Sequence, residues 1–514
     1  MAGLLAIGQP YAAAVPLPKD DPFYAYTAST PLSAVAPGTV LKTRAVTFHL
    51  AGVTTPFAGT QLLYRTTGQR GQPTVTVTSV IQPAVAIFPQ PRLISYQLAY
   101  DALDAKCDPS YFISGAFNLS GGTTAAEQLT LTGLLTGGYT VVTSDYEGED
   151  LAWTAGGQSG MQTLDGIRAA LRSPATGLPA ATKVGVLGYS GGAIASEWAT
   201  ELAPHYAPDV DKHLVGTAIG GVYVYPAHNL TYVSGTPLWS GVMPGALTGV
   251  ARGFGIDLND YASPYGKKLV AYARDKCIPD LLGHYPGLTF AKLVKPQYAQ
   301  FAKVRQFVEL NNKLIMSTGG TPTVPLLMVQ GAGGEADGTP GNKPGIGPGD
   351  GVMIAGDVRS LARTYCRRGL AVRYDENALE HLGATAPFFA AAIPWLGDRF
   401  AGTPAPNTCA KIKAGNSLAP LPLPAARIAN TAPGTADANA SASPRAAAPD
   451  STLARPADTG ADSRRLLLWA LLLVGLGGAV QWAGTAPRPG AAPERPLPKR
   501  PLPGRRRPLP YPRP

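Results

Sequence analysis

The five residues that most constrain this chain are Gly188-Tyr189-Ser190-Gly191-Gly192, a G-x-S-x-G pattern. An apolar run, Lys183-Val184-Gly185-Val186-Leu187, precedes it, and a helix-like stretch, Ala193 to Ala199, follows it. Strand, tight turn and helix in that order hold a serine exposed above the end of a sheet. Glycines on both sides of the serine let strand and helix approach without Cβ clashes. In a chain with 60 glycines the pattern alone is a weak signal, so its flanks and its partners must decide. A serine presented this way needs an acid and then a histidine further along the chain. The histidines are His49, His205, His213, His228, His284 and His381. Only His381 lies far enough past Ser190 to leave room for an acid-bearing strand between them.

The acid is expected after a later strand. Pro325-Leu326-Leu327-Met328-Val329-Gln330-Gly331 reads as a short buried strand. A Gly/Pro-rich loop follows from Ala332 to Gly349, then Asp350-Gly351-Val352-Met353, then a helix-like segment from Ala355 to Arg367. A further strand, Leu370 to Tyr374, leads to Glu380-His381. Three acids compete for the orienting role: Glu335, Asp337 and Asp350. The first two sit within the Gly/Pro-rich loop. Asp350 is read as opening the helix, where backbone N–H groups favour an ionised carboxylate. The order Ser, acid, His along alternating strands and helices predicts an α/β-hydrolase fold.

Several blocks of the chain resemble the secretory lipases, α/β-hydrolases of the yeast lipase-A type. They are the Ser190 elbow, the tract Val141 to Gly148, Gly160-Met161, Leu164-Asp165-Gly166-Ile167-Arg168, the stretch Asp350 to Cys366, and Glu380-His381. The resemblance spans roughly residues 20 to 410. It implies Ser190 as nucleophile, Asp350 as triad acid and His381 as base. It also implies an oxyanion hole from the backbone N–H of Gly191 and of a residue in Tyr100-Asp101-Ala102, taken as Asp101. The chain departs from the family pattern in the longer loop Ala332–Gly349, which keeps Asp337 in competition with Asp350.

Some 135 residues separate Ser190 from Pro325, far more than a βα unit needs. The stretch from about 225 to 312 mixes apolar clusters with Pro and Gly and is read as an inserted helical cap. By resemblance, such a cap forms an acyl-chain tunnel and a lid. The four cysteines, Cys107, Cys277, Cys366 and Cys409, form no C-x-x-C pair, so no metal or redox motif is indicated and no cofactor is expected. An even count in an exported chain suggests two disulfides. The resemblance pairs Cys107 with Cys277 and Cys366 with Cys409.

The ends of the chain read differently from its middle. Residues 1–20 begin with an apolar stretch that could serve export, although it has no basic start and is interrupted by Pro10. The catalytic domain is placed at 21–420. From 421 to 463 the composition turns to Ala, Pro, Ser, Thr and Asp, a linker too poor in apolar residues to fold. Leu466 to Ala486 carries no charge and is Leu-rich, with Trp469 and Trp482 near its ends, the length of a single transmembrane helix. The Pro/Arg-rich tail 487–514 holds Arg488, Arg495, Lys499, Arg500, Arg505, Arg506, Arg507 and Arg513. Positive charge on that side places the tail in the cytoplasm and the catalytic domain outside. The net charge of +10 is concentrated in this tail, so nucleic-acid binding is not expected.

The expected activity is hydrolysis of carboxylic, triacylglycerol-type esters at a lipid interface through an acyl-enzyme. Two other readings share the same residues. One is an acyltransferase that passes the acyl group to an alcohol. The other is a non-catalytic surface protein on a hydrolase scaffold, which a dispersed triad would support.

Overall fold

The computed structural model describes residues 15–425. Residues 1–14 of the expected export segment, the linker beyond residue 425, the span 466–486 and the tail 487–514 lie outside them. Among the described residues, no helix is long and apolar enough to cross a membrane.

Nine strands form one sheet: β1 Val40–Leu50, β2 Val53–Thr67, β3 Pro73–Ile81, β4 Arg92–Gln97, β5 Thr140–Ser144, β6 Lys183–Tyr189, β7 Leu214–Gly220, β8 Leu326–Gly331 and β9 Val372–Asn377. Their order is β1-β2-β3-β5-β4-β6-β7-β8-β9. The pairs β1–β2, β2–β3 and β3–β5 are antiparallel. From β5 through β4, β6, β7 and β8 to β9 all pairs are parallel. Parallel strands covered on both faces need apolar residues at nearly every position. Leu326–Gly331 follows this rule and is buried throughout, and Thr140–Ser144 is equally buried although three of its five residues carry hydroxyls.

The longer helices that flank the sheet are α1 Gly122–Thr136, α2 Gly156–Arg172, α3 Gly191–Tyr206, α4 Ala355–Arg367 and α5 Thr385–Phe400. Leu131, Leu134 and Leu135 of α1 share one buried cluster with Phe388, Trp395 and Leu396 of α5. Leu164 and Ile167 of α2 join Ala199 and Ala203 of α3 in another. On α4 the residues Val358, Leu361, Ala362 and Tyr365 recur at helical spacing and meet Ile194 and Trp198 of α3. The α/β-hydrolase-like architecture expected from the sequence is therefore present, built on a mixed sheet.

The helix start and length at Ala355–Arg367 agree with the sequence reading. The last strand does not: it runs Val372–Asn377 rather than Leu370–Tyr374. β9 is the sheet edge, where one row of backbone groups and many side chains face water. Polar residues such as Asp375 and Glu376 are at home there, and they hide the strand from a hydrophobicity pattern.

Close approach of α3 to β4 seats the serine turn. A Cβ on Gly192 would lie 1.9 Å from the backbone oxygen of Gln97. Because that neighbour is backbone at the sheet centre, Gly192→Ala is expected to cost about 3 kcal/mol of stability, read as a lowered thermal midpoint.

Between β7 and β8, helices Pro226–Val233, Met243–Phe254, Pro264–Ala273 and Arg305–Leu314 pack over the carboxyl end of the sheet. Trp239, Met243, Leu269, Leu281, Phe290 and Leu293 of this region share a buried cluster with Ile346, Val352 and Met353. One edge of the region pairs with the chain after β4. Leu103 N–H donates to Lys276 O (2.8 Å), Ile278 N–H donates to Asp101 O (2.9 Å), and Ala102 and Cys277 form an antiparallel bridge. The disulfide Cys107–Cys277 closes the same junction. A second disulfide, Cys366–Cys409, ties the end of α4 to the chain after α5.

Candidate active site

Each predicted site residue follows the carboxyl end of a parallel strand, where such sheets form their crevices. Asp101 comes after β4, Ser190 after β6, Asp350 after β8 and His381 after β9.

Ser190 sits between β6 and α3 with φ 54° and ψ −120°, a left-handed backbone held by the turn. Its amide donates to Gly220 O at 2.9 Å. The Ser190 Oγ lies 2.8 Å from His381 Nε2. His381 Nδ1 lies 2.8 Å from Asp350 Oδ2. The three side chains thus form one continuous hydrogen-bonded chain. His381 and Asp350 are buried, and the Tyr189 hydroxyl donates to His381 O at 2.6 Å.

Asp350 does not open α4, as the sequence suggested; the helix begins at Ala355 with Ile354 as its cap. The carboxylate lies in the preceding tight turn, where local backbone amides replace those of a helix end. Val352 N–H and Met353 N–H donate to Oδ1 at 3.1 and 2.7 Å, and Gln330 Nε2 donates to Oδ2 at 2.9 Å. Glu335 is exposed, and Asp337 bonds elsewhere, to the Trp239 indole.

Burial alone lowers the pKa of His381. The charge of Asp350 and its hydrogen bond act the other way and prevail, holding the imidazole above its ordinary value of 6.5; Asp101 and Asp337 add to the rise. A histidine acting as a base must be neutral. For a hydrolase using it, kcat/KM is expected to rise with pH through a midpoint above 6.5, in a pH–rate profile on a soluble ester.

Asp101 has φ 41°, and its side chain faces Gly191, where a Cβ would lie 2.0 Å from Asp101 Oδ1. Around it the amides are committed: Tyr100 N–H to Leu98 O, Ala102 N–H to Glu147 Oε2 and Leu103 N–H to Lys276 O. The Asp101 amide takes no partner among the described residues. Gly191 is the first residue of α3, whose leading N–H groups have no partner within the helix. Burial pushes the Asp101 carboxyl up to about 6, against a hydrogen bond from Trp153 and the charge of His381.

Above this group lies an open, apolar cavity. Ser190, Gly191 and Asp101 line it, with Trp153, Ile194, Trp239, Met243, Phe290 and Phe307. Sequence reading did not single out Trp153, Trp239, Gln330 or Glu147. Trp153 and Trp239 reach the site from distant parts of the chain, and although Gln330 and Glu147 lie in stretches named above, no local pattern marks either as a site residue.

Fold and crevice together define a lipase- or esterase-type hydrolase of α/β-hydrolase architecture. The chain belongs to the secretory lipase family, whose model matches residues 115–408. It is 32% identical to lipase 5 of Candida albicans, over 78% of this chain and 85% of that one. It is also 32% identical to a probable inactive lipase of Mycobacterium tuberculosis, over 76% of this chain and 83% of that one. Among solved structures, Candida antarctica lipase A superposes with a TM-score of 0.67 at 27% identity, over 80% of this chain and 92% of that one. A secretory family and two disulfides fit an extracellular location.

Proposed function

We propose that the protein is a lipase that cleaves long-chain carboxylic esters, triacylglycerols among them, through a Ser190–His381–Asp350 triad. The observation that carries this reading is the unbroken hydrogen-bonded chain of the three side chains, with Ser190 opening into an apolar cavity.

In this reaction the Ser190 Oγ attacks the ester carbonyl carbon, and its proton passes to His381 Nε2. Asp350 keeps the other ring proton on Nδ1 and stabilises the imidazolium. The carbonyl oxygen gains negative charge and is met by the backbone N–H groups of Gly191 and Asp101, each donor worth roughly 3 kcal/mol in the transition state. His381 then returns the proton to the departing alkoxide, which leaves as alcohol. Water, deprotonated by His381, attacks the acyl-Ser190 ester, and the fatty acid and free serine result. The helical region 225–312 acts as a cap whose apolar side chains hold the acyl chain. The function lies outside the cell or at its outer face.

A series of p-nitrophenyl esters from acetate to palmitate tests the reading, with product analysis in the presence of an added alcohol. Free fatty acid as the dominant product, with preference for long chains, is the expected result. Dominant transfer to the alcohol would convert the assignment to an acyltransferase, and inactivity on every ester would remove it.

A further inference from the structure

Asp337 competes with Asp350 in the sequence, and the fold gives it a different partner. It ends the short 3-10 turn Gly334–Asp337, in the loop between β8 and Asp350. Its Oδ2 accepts a hydrogen bond from Trp239 Nε1 at 3.1 Å, the one bond the indole makes among the described residues. No hydrogen bond joins Asp337 to His381 among them.

Trp239 is buried, lines the apolar cavity and touches the catalytic imidazole. Its ring stands edge-on to His381, with centroids 5.2 Å apart and planes at 87°. Tyr189 packs on the same imidazole at 5.1 Å and 39°. The imidazole therefore packs against two aromatic rings, and of these two only the tryptophan borders the cavity. The junction leaves no slack: a Cβ on Gly351 would lie 2.7 Å from both Asp337 Oδ2 and Trp239 Nε1. Asp350, whose carboxylate holds the far side of His381, is the next residue back.

We propose that Asp337 is a positioning residue that fixes the Trp239 indole against His381 and so keeps the imidazole turned toward Ser190 as an acyl chain fills the cavity. It rests on the triad reading above. A buried indole needs a partner for its N–H, and a carboxylate provides a short, directional one. Without that anchor the indole swings into the cavity, and the imidazole gains room to rotate off the serine. The charges facing His381 are Asp350, Asp101, Asp337 and Glu127. Those facing Asp337 are Glu380, His381 and Asp350, and no basic side chain pairs with Asp337 among the described residues.

The experiment compares Asp337→Ala, Asp337→Asn, Trp239→Phe and the double variant Asp337→Ala/Trp239→Phe in the full-length protein, on one short and one long ester. Asp337→Ala and Trp239→Phe are each expected to lower kcat by roughly tenfold, and the double variant no further, because both break one link. Asp337→Asn still offers an oxygen to the indole. It is expected to keep kcat, while the acid limb of its pH profile moves to lower pH as one negative charge near His381 disappears. An NMR titration of His381 in a Ser190→Ala background reads the same downward shift without turnover, so a failure of the esterase reading is seen separately. Three results overturn the proposal: unchanged kcat in a folded Asp337→Ala, additive losses in the double variant, or a loss in Asp337→Asn as deep as that of Asp350→Asn. The last would make Asp337 the triad acid.

Discussion

Ser190→Ala is expected to lower kcat for ester hydrolysis by about a millionfold while leaving KM within a few-fold. The size follows from what remains. The proposed oxyanion donors are backbone groups of Gly191 and Asp101 and survive the substitution, as does the apolar cavity proposed to hold the acyl chain. Removing the hydroxyl deletes the covalent step, and water must then attack a bound ester unaided by a positioned nucleophile. The fold should be indifferent. The Ser190 backbone is held by its own amide on Gly220 O, and the lost contact is one hydrogen bond to His381. Steady-state kinetics with a thermal melt as control measures both. A variant that retains wild-type turnover places the nucleophile elsewhere. Labelling by an organophosphorus ester reads the same point by mass, since phosphorylation should be found on Ser190 and vanish in the variant.

Asp350→Asn is expected to cost about ten-thousandfold in kcat. The carboxylate accepts from Val352 N–H, Met353 N–H, Gln330 Nε2 and His381 Nδ1. An asparagine retains the backbone bonds through its oxygen at the Oδ1 site. Its NH2 then falls at the Oδ2 site, facing His381. The imidazole answers by presenting a lone pair at Nδ1 and a proton at Nε2, toward Ser190, and can no longer take the serine proton. The charge that raises the His381 pKa is also lost, so the acid limb of any residual activity moves to lower pH. Full activity in this variant, together with collapse of Asp337→Asn, would reverse the two roles.

Ser190 and His381 were legible because each is fixed locally or by elimination. The elbow is a contiguous pattern, and five of the six histidines stand in the wrong part of the chain. Asp350 was not legible from residues alone, since the loop Ala332–Gly349 offers neither hydrophobic period nor length constraint. The resemblance singled it out. The helix-end argument for it failed by five residues, although backbone amides do hold the carboxylate. Buried strands such as Leu326–Gly331 announce themselves as apolar runs, whereas the edge strand Val372–Asn377 carries its pairing in polar residues. Trp239 lies 98 positions from Asp337 in sequence. A contact of that kind is set by how the helices over β7 and β8 fold back, and single-sequence periodicity is blind to it.

The pairing of residues 101–103 with 276–278 has a mechanical consequence. Cys107–Cys277 stitches that seam, and Asp101 lies within it. The helical roof is therefore riveted to the scaffold at the edge that holds Asp101, the proposed oxyanion donor. Any bending of the roof that admits an ester must spare this seam, to which the helix Met243–Phe254 is also tied through Arg252, which donates to Leu103 O at 3.0 Å. The corner that holds Asp101 can then stay still while other parts of the roof move.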